Sequence, residues 1–230
     1  MFDMRFRHFI TGLVLTAIPI QFAMATHVVP DSISVELHFK PDVENGERVY
    51  EICASCHLPD GWGNRDGVYP QLAGQHATVL MQQLLDIREG RRDNPAMYPF
   101  VQERSIGGYQ NLADVVAYIS TLPMTPFNGR GKWGIASPKY ALGEQIFAEK
   151  CAVCHGERAE GNSTAKYPRL QGQHYAYLIQ QARLITSHQR IVNPAMTTAI
   201  TSLDAIETAA VMNYISRIRV PEEDLHEQGQ

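Results

Sequence analysis

The chain has 230 residues, of which 44% are hydrophobic, and its formal net charge is −4 at pH 7. A chain of this length has room for two small domains or for one of ordinary size. This charge balance gives no strong basic field, so nucleic acid is not an expected partner.

The N-terminal residues have the features of an export signal. Arg5 and Arg7 precede the apolar stretch 9–22, and the small-x-small sequence "AMA" follows it at 23–25. This order predicts a signal peptide, residues 1–25, that is cleaved near Ala25 and leaves a mature protein in the periplasm. The alternative is an uncleaved anchor, because the stretch from Phe9 to Ala25 is just about long enough to span a bilayer.

The rest of the chain repeats itself. Three segments recur almost unchanged 98 or 99 positions further along: "CASCH" (53–57) as "CAVCH" (151–155), "YPQLAGQH" (69–76) as "YPRLQGQH" (167–174), and "NPAM" (94–97) as "NPAM" (193–196). Other matches drift by one or two positions, as short loop insertions would produce. A period this long is not that of a solenoid, and it indicates one domain used twice.

Each copy is predicted to be helical. Apolar residues at helical spacing predict three longer helices per copy, at 43–53, 76–89 and 111–121 in the first and at 140–151, 174–188 and 203–217 in the second. The NPAM segments fall in irregular stretches before the last of these helices. Strand signals are nearly absent, so the predicted fold class is all-α.

The predicted domain boundaries follow from composition. We expect the first domain at 26–122 and the second at 139–220, joined by the Pro- and Gly-rich linker 123–138. The acidic and polar tail, 221–230, is expected to be disordered.

All four cysteines belong to the two Cys-x-x-Cys-His sequences. A thiol redox pair does not need the adjacent histidine, and a zinc site would have to gather cysteines from separate repeats. Covalent attachment of c-type haem uses every residue of the motif, because each Cys bonds a haem vinyl group and the His binds the iron from one side. We therefore predict two covalently bound haem c groups. The predicted attachment residues are Cys53, Cys56 and His57 in the first half and Cys151, Cys154 and His155 in the second.

Met97 and Met196, the last residues of the NPAM segments, are the predicted iron ligands on the opposite side of each haem. They follow the motif histidines by 40 and 41 residues, which lets the chain pass around the haem and return. A thioether ligand favours reduced iron and raises the reduction potential. Met81 and Met124 are the rivals in the first half.

Two further pairs of residues repeat. His76 and His174 stand beside Gly at predicted helix starts, and we expect them to face water or to cap the helix rather than to bind iron. Pro70 and Pro168 lie thirteen residues after the motif histidines. Their carbonyl groups could accept the other ring N–H of each histidine, and the alternative role is that of a rigid turn.

The first and last helices of each copy are expected to cross closely. Gly46 and Gly143 would permit the close approach, and aromatic residues at the same crossing are expected to be core. These aromatics are Tyr50, Tyr118, Phe147 and Tyr214.

The quoted segments, together with "REGRRDNPAM" and "NPAMTTAITSLDAIETAAVMNYIS", resemble the two halves of a dihaem cytochrome c of the cytochrome c4 type. The resemblance spans about residues 43–218. It implies two tandem class I cytochrome c domains, each wrapped around one covalently bound haem with a His/Met pair on the iron. It also implies an exported electron carrier whose haems approach each other across the domain interface. The first half departs from the pattern after its Cys motif, at "HLPDGWGNRDG", and after Met97, which leaves the sixth ligand and the potential of its haem open.

The expected function is electron transfer rather than enzymatic catalysis. Single electrons would pass between redox partner proteins of a respiratory chain through two closed haems. Residues 26–125 contain 7 basic and 13 acidic residues and residues 126–230 contain 11 and 10, an asymmetry that could orient docking, including docking to membrane-bound complexes. Two alternatives remain: a haem enzyme that acts on peroxide or a sulfur compound at one open haem, and a fixed electron-transfer subunit of a larger dehydrogenase or oxidase complex.

Overall fold

The computed structural model describes residues 39–225. The predicted signal peptide, 1–25, and the end of the predicted tail, 226–230, therefore lie outside the described residues. Inside that range the chain is helical and forms no strand, and its pairings of the β type are two isolated bridges. The predicted all-α fold class is confirmed. In the same range no helix is long and apolar enough to cross a membrane.

The two halves contain corresponding helices. The first half has α1 (Val43–His57), α2 (Ala77–Arg88), α3 (Tyr98–Val101), α4 (Glu103–Ile106) and α5 (Tyr109–Thr121). The second half has α6 (Pro138–Ile146), a π-helical turn (Phe147–Cys151), α7 (Ala152–His155), α8 (Tyr175–Thr186), α9 (Pro194–Thr201) and α10 (Ala205–Ile215). The three longer helices predicted in each copy are present. The short helices α3, α4 and α9 were not predicted, because one or two turns show no clear period.

The first and last helices of each half cross in close contact, as predicted. A Cβ atom on Gly46 would lie 2.1 Å from the carbonyl oxygen of Asp114. One on Gly143 would lie 2.1 Å from the carbonyl oxygen of Ala210. Only glycine permits this spacing, since a Cβ at 2.1 Å from backbone would overlap it.

Aromatic rings fill the space beside both crossings. Tyr50 packs on Tyr118 and Phe147 packs on Tyr214, each with 5.5 Å between ring centroids. Tyr50 and Phe147 are buried in the cores of their halves. The predicted core role is confirmed for Tyr50 and Phe147, whereas Tyr118 and Tyr214 are partly buried and pack against those cores.

A π-helical turn distinguishes the second half. Gly46 precedes Cys53 by seven residues, whereas Gly143 precedes Cys151 by eight. The extra residue is accommodated by the turn Phe147–Cys151, inside the helix that leads to the cysteine. A π turn of this kind inserts one residue without ending the helix. The drift of the repeat at this point therefore comes from a helical insertion, and our expectation of a loop insertion was wrong here.

The segment between the halves is packed against both of them. On the side of the first half, Arg65 donates to the Phe127 carbonyl oxygen at 2.8 Å. The side chain of Asn128 donates to the carbonyl oxygens of Gln173 at 3.0 Å and Ser216 at 2.8 Å. The Gly131 N–H donates to the hydroxyl of Ser216 at 3.1 Å. The Pro- and Gly-rich composition predicts a connection, but it does not reveal these buried hydrogen bonds.

The start of the C-terminal tail is ordered, contrary to our expectation for 221–230. Glu222–Asp224 forms a 3₁₀ turn. The carbonyl of Asp224 accepts a hydrogen bond from the Met124 N–H at 2.8 Å, and its carboxylate pairs with Arg169 at 3.1 Å. Acidic composition indicated disorder, but these contacts to the linker and to the second half hold the segment in place.

Candidate functional site

The histidines of the two Cys-x-x-Cys-His sequences occupy matching positions. His57 is the last residue of α1 and His155 the last of α7, and their exposed fractions are 5% and 6%. The Nδ1 atoms lie 3.1 Å from the carbonyl oxygen of Pro70 and 2.9 Å from that of Pro168. These are the predicted proline contacts, and they leave Nε2 of each ring available for a metal.

Burial sets the charge state of the same two rings. It lowers the pKa of His57 and of His155, and the hydrogen bonds to the proline carbonyls oppose the shift only in part. Both rings are therefore favoured in the neutral form. Neutral imidazole is the form that binds a metal ion.

Glycines shape the loops that bring these proline carbonyls back to the histidines. Gly63 and Gly161 have positive φ angles of 64° and 77°. A Cβ on Gly63 would lie 2.2 Å from the carbonyl oxygen of Tyr69, and one on Gly161 would lie 2.5 Å from that of Tyr167. The Gly-rich loops after the motifs are thus tight turns that fix the orientation of each imidazole.

The four cysteines are half-buried, and none of them forms a disulfide with another. Burial raises the pKa of the Cys53 and Cys151 thiols to about 11. A thiol redox pair needs a lowered pKa, so this environment disfavours that alternative. Within residues 39–225, no three His, Cys, Asp or Glu side chains are grouped as a metal site would require.

Met97 and Met196 are held in the same way by the asparagine of their NPAM segments. The Met97 N–H donates to the Asn94 side chain at 3.3 Å, and the Met196 N–H donates to that of Asn193 at 2.8 Å. Both methionine side chains are partly exposed. Met196 lies in the first turn of α9 and packs against the core of its half, whereas Met97 directly precedes the short helix α3.

The rival methionines lie in other surroundings. Met81 is 1% exposed and belongs to the core of the first half. Met124 is 3% exposed, and its sulfur accepts a hydrogen bond from Arg169 at 3.3 Å. Met124 therefore lies where the two halves meet.

Two separate stretches of the sequence match one protein family. The family, described as cytochrome c, is matched by residues 43–123 and again by residues 140–219. The chain belongs to the cytochrome c family. Each match contains one Cys-x-x-Cys-His sequence, one buried histidine with its Nδ1 on a proline carbonyl, and one NPAM methionine.

Similar proteins narrow the type of cytochrome. The chain is 33% identical to cytochrome c4 of Thiocapsa roseopersicina over 187 residues, which cover 76% of this chain and 91% of the relative. The crystal structure of reduced recombinant cytochrome c4 from Pseudomonas stutzeri superposes with a TM-score of 0.65 at 26% identity, covering 78% of this chain and all of that one. A protein named thiosulfate dehydrogenase electron acceptor, from Stutzerimonas stutzeri (strain A1501), is 28% identical over 62% of this chain and 70% of its own length. The chain is a dihaem electron-transfer cytochrome of the cytochrome c4 type.

The residues present fit two haem c groups. Each half offers two thiols, one helical turn apart, and a neutral buried imidazole whose second nitrogen is free. The cytochrome accordingly carries two covalently bound haem c groups, as predicted.

The repeated histidines His76 and His174 lie between the halves. Our expectation that they face water or cap a helix was wrong for His174, which is 2% exposed, whereas His76 is partly exposed. Neither side chain caps its helix. Nε2 of His76 lies 2.9 Å from the Glu160 carbonyl oxygen, and Nε2 of His174 lies 2.7 Å from that of Trp62. Trp62 and Glu160 are equivalent positions of the repeat, so the histidine of each half contacts the equivalent backbone carbonyl of the other half.

The glutamines of the two GQH segments make a second reciprocal set of bonds. Gln173 accepts from the Gln71 N–H at 3.1 Å and donates to the Gln71 carbonyl at 2.9 Å. Gln75 accepts from the Arg169 N–H at 2.9 Å and donates to the Arg169 carbonyl at 2.9 Å. The GQH segments thus join the two halves by an approximate twofold symmetry. Their recurrence was the signal in the sequence, but it does not say what they contact.

The His174 contacts make the junction sensitive to pH. The Gly129 N–H donates to Nδ1 of His174 at 2.9 Å, so the proton is on Nε2, which donates to Trp62. Protonation of Nδ1 would add an N–H that points at the Gly129 N–H, so two hydrogen-bond donors would face each other. Burial lowers the pKa of His174, the bond to Trp62 opposes this, and Arg65 lowers and Asp66 raises it.

We expect the stability of the protein to fall as the pH decreases below about 6.5, the usual pKa of histidine. The unfolded chain takes up a proton there while folded His174 resists it, so acid favours unfolding. Replacing His174 by alanine should cost about 1–3 kcal/mol near pH 8 through the two lost buried bonds, and it should flatten the acid-side slope. Thermal unfolding of the holoprotein across this pH range measures both. His188→Gln, at an exposed histidine, is the control, and an unchanged slope in the His174 variant would contradict this assignment.

Proposed function

We propose that the protein is an exported carrier that passes single electrons between redox partner proteins through two closed haems. The observation that carries this proposal is the matched pair of buried imidazoles, His57 and His155, each with Nδ1 committed to a proline carbonyl. Two equivalent, pre-oriented ligands in one chain suit transfer of electrons better than binding of a substrate. When bound, each haem supplies an iron that alternates between the ferric and ferrous states.

The side chains have separate roles in this proposal. The cysteines hold the haems covalently, and the histidines and methionines close the two axial positions of the iron. The proposed set is Cys53, Cys56, His57 and Met97 for one haem and Cys151, Cys154, His155 and Met196 for the other. The hydrogen bonds from the methionine N–H groups to Asn94 and Asn193 support the methionine assignment, because they fix the backbone of both ligands in the same way.

The proposed location is the periplasm. The charged start, apolar stretch and "AMA" sequence within residues 1–25 support cleavage near Ala25. The mass of the purified protein tests this point. A mature chain that begins at Thr26 supports cleavage, whereas a full-length chain extracted with the membrane supports the anchor.

The proposed partners are redox proteins that dock on the two unlike halves. An acidic region, with Glu44, Glu47 and Glu51 on one side of α1, lies beside the first Cys motif. The second motif carries Val153, which is 84% exposed. Partners of different surface chemistry would suit the two ends.

A second candidate function is to accept electrons from a dehydrogenase that oxidises a sulfur compound. The relative from Stutzerimonas stutzeri is named thiosulfate dehydrogenase electron acceptor, which supports this class of donor. Purification without detergent tests the subunit alternative, because a permanent partner would co-purify in fixed ratio.

Optical spectra of the purified protein test the closed-haem proposal. We expect the weak band of Met-ligated ferric haem at full intensity for two haems, and no spectral change when carbon monoxide is added to the ferrous protein. Both results follow if each iron already has two axial ligands. Rapid binding of carbon monoxide by one haem would instead favour the enzymatic alternative, with an open site.

A further inference from the structure

The residue that follows the first motif histidine has an unusual backbone conformation. Leu58 has a φ angle of 68° and a ψ angle of 159°. These angles lie in a region that is essentially restricted to glycine, because a side chain is strained there. The equivalent position of the second half is Gly156, with a φ angle of 81° and a ψ angle of 158°. The two halves make the same turn, but the first makes it with a leucine.

Burial of the leucine side chain offsets this strain only in part. Leu58 is 44% exposed, so much of its apolar surface still faces water. Strained conformations persist only where the surrounding structure fixes them, and they concentrate at functional sites. Leu58 directly follows His57, so the strain lies at the point where α1 ends in the proposed axial ligand.

A buried hydroxyl group supports the strained turn. The Tyr50 hydroxyl donates to the Leu58 carbonyl oxygen at 2.8 Å, and the Gly61 N–H donates to the same oxygen at 3.1 Å. Tyr50 is 3% exposed and belongs to the core of the first half. The hydroxyl is therefore held in place by the packing of its own ring, and it can hold the Leu58 peptide in turn.

The second half has neither member of this contact. Phe147 takes the place of Tyr50, and Gly156 takes the place of Leu58. Phenylalanine has no hydroxyl to donate, and glycine adopts this turn without strain. The strained leucine thus occurs together with the supporting hydroxyl, and the glycine occurs without it. This difference between the halves supports a joint role for Tyr50 and Leu58.

We propose that Tyr50 and Leu58 are a positioning pair for His57, an inference that rests on the ligand assignment proposed above. The His57 carbonyl accepts from the Gly63 N–H at 3.0 Å, and its Nδ1 lies 3.1 Å from the Pro70 carbonyl oxygen. The chain that leads to both of these partners begins at Leu58. A change in the Leu58 backbone angles would therefore move both partners relative to the imidazole, and the Tyr50 hydroxyl prevents that change.

The positioning pair should act on one haem only. Partners that hold a ligand histidine fix the orientation of its ring on the metal. The hydroxyl of Tyr50 contributes to this in the first half, whereas the second half reaches the same turn with a glycine. Loss of the hydroxyl is therefore expected to disturb the first haem and to leave the second as it is.

The test uses Tyr50→Phe in the holoprotein, which removes the hydroxyl and keeps the ring. Hydrogen exchange of the Leu58 amide measures opening of the turn, since this N–H donates to the Ala54 carbonyl at 3.0 Å. We expect exchange to be roughly three- to tenfold faster, the effect of one lost hydrogen bond. The Gly156 amide, which donates to the Ala152 carbonyl at 2.9 Å, should exchange as in the wild type.

A spectroscopic signature separates positioning from support of the fold. The haem methyl resonances of the ferric protein report the orientation of the axial ligands. In Tyr50→Phe we expect the set from one haem to shift and the set from the other to stay. Faster exchange at Leu58 with unshifted methyl resonances would show that the hydroxyl supports the turn without positioning His57, and it would overturn the inference.

Two second-site variants separate backbone strain from loss of the side chain. Tyr50→Phe with Leu58→Gly copies the second half, and it should return the exchange rate and the methyl resonances towards the wild type. Tyr50→Phe with Leu58→Ala is the matched control, because alanine keeps the Cβ atom and hence the strain. It should behave as Tyr50→Phe alone. Equal recovery with alanine and with glycine would contradict the role given to strain.

The ligand set is tested separately from the positioning pair. Haem content and the band of Met-ligated ferric haem report on covalent attachment and axial ligation in the wild type, whatever residues 50 and 58 do. Should Tyr50→Phe not fold, Leu58→Gly alone still tests the pair. It should slow exchange of the residue 58 amide, because the strain is removed while the hydroxyl remains, and faster exchange would count against the pair.

Discussion

Replacing Met196 by alanine is expected to lower the reduction potential of one haem by on the order of 0.2 V, a fraction of the roughly 0.8 V range that axial ligands cover. The thioether favours ferrous iron, so its loss favours the ferric state. The same variant should bind carbon monoxide at one haem, since one axial position is then open. Potentiometric titration followed optically, with and without carbon monoxide, measures both effects.

The control for this prediction is another methionine of the same half. Met212 is 5% exposed and belongs to the core of that half, so Met212→Leu changes packing but not the proposed ligand set. It should leave the potentials in place. A Met196→Ala protein with unchanged potentials would mean that another residue closes the second haem. Met97→Ala applies the same measurement to the first haem, where Met81 and Met124 were the rivals.

Replacing Gly143 by alanine is expected to destabilise the protein by about 3 kcal/mol or more. Alanine normally stabilises a helix relative to glycine by about 1 kcal/mol, so the expected sign is reversed here. The reason is the crossing of α6 and α10, where the new methyl group would lie 2.1 Å from the Ala210 carbonyl oxygen and 3.0 Å from Cβ of Tyr214. The helices would have to separate, and the packing beneath them would be lost.

Unfolding by urea, followed by helical circular dichroism, measures this loss. Gly46→Ala should have a similar effect in the first half, because its Cβ would lie 2.1 Å from the Asp114 carbonyl oxygen. Gly134→Ala is the control, since a Cβ there meets nothing within 4 Å. Wild-type stability in both helix variants would show that the helices at these crossings are further apart than 2.1 Å contacts require.

Features that a repeat and a helical period can encode were predictable from the sequence. The longer helices, the close glycine crossings and the proline carbonyls on His57 and His155 all follow from spacing within one half. The π turn before Cys151 was missed because a single extra residue looks the same in sequence whether a loop or a helix accommodates it. The contacts of His174 and Gln173 were missed for another reason. They join residues about a hundred positions apart, and no periodicity indicates which surfaces of two domains will meet.

The reciprocal bonds of the two GQH segments give the chain the internal geometry of a C2 homodimer, in which one surface patch recognises its own copy. A substitution at Gln75 or Gln173 therefore leaves backbone groups unmatched in the opposite half, and a compensating change is needed there. Residues that form these bonds between the halves are therefore constrained in pairs, each by its partner in the other half. Residues on the outward faces of the two halves do not contact the other half, so they are not constrained in pairs. Because one chain carries both copies, one half can be acidic while the other is not. The two ends of this single chain can therefore differ in charge, whereas the two ends of a homodimer of identical subunits could not.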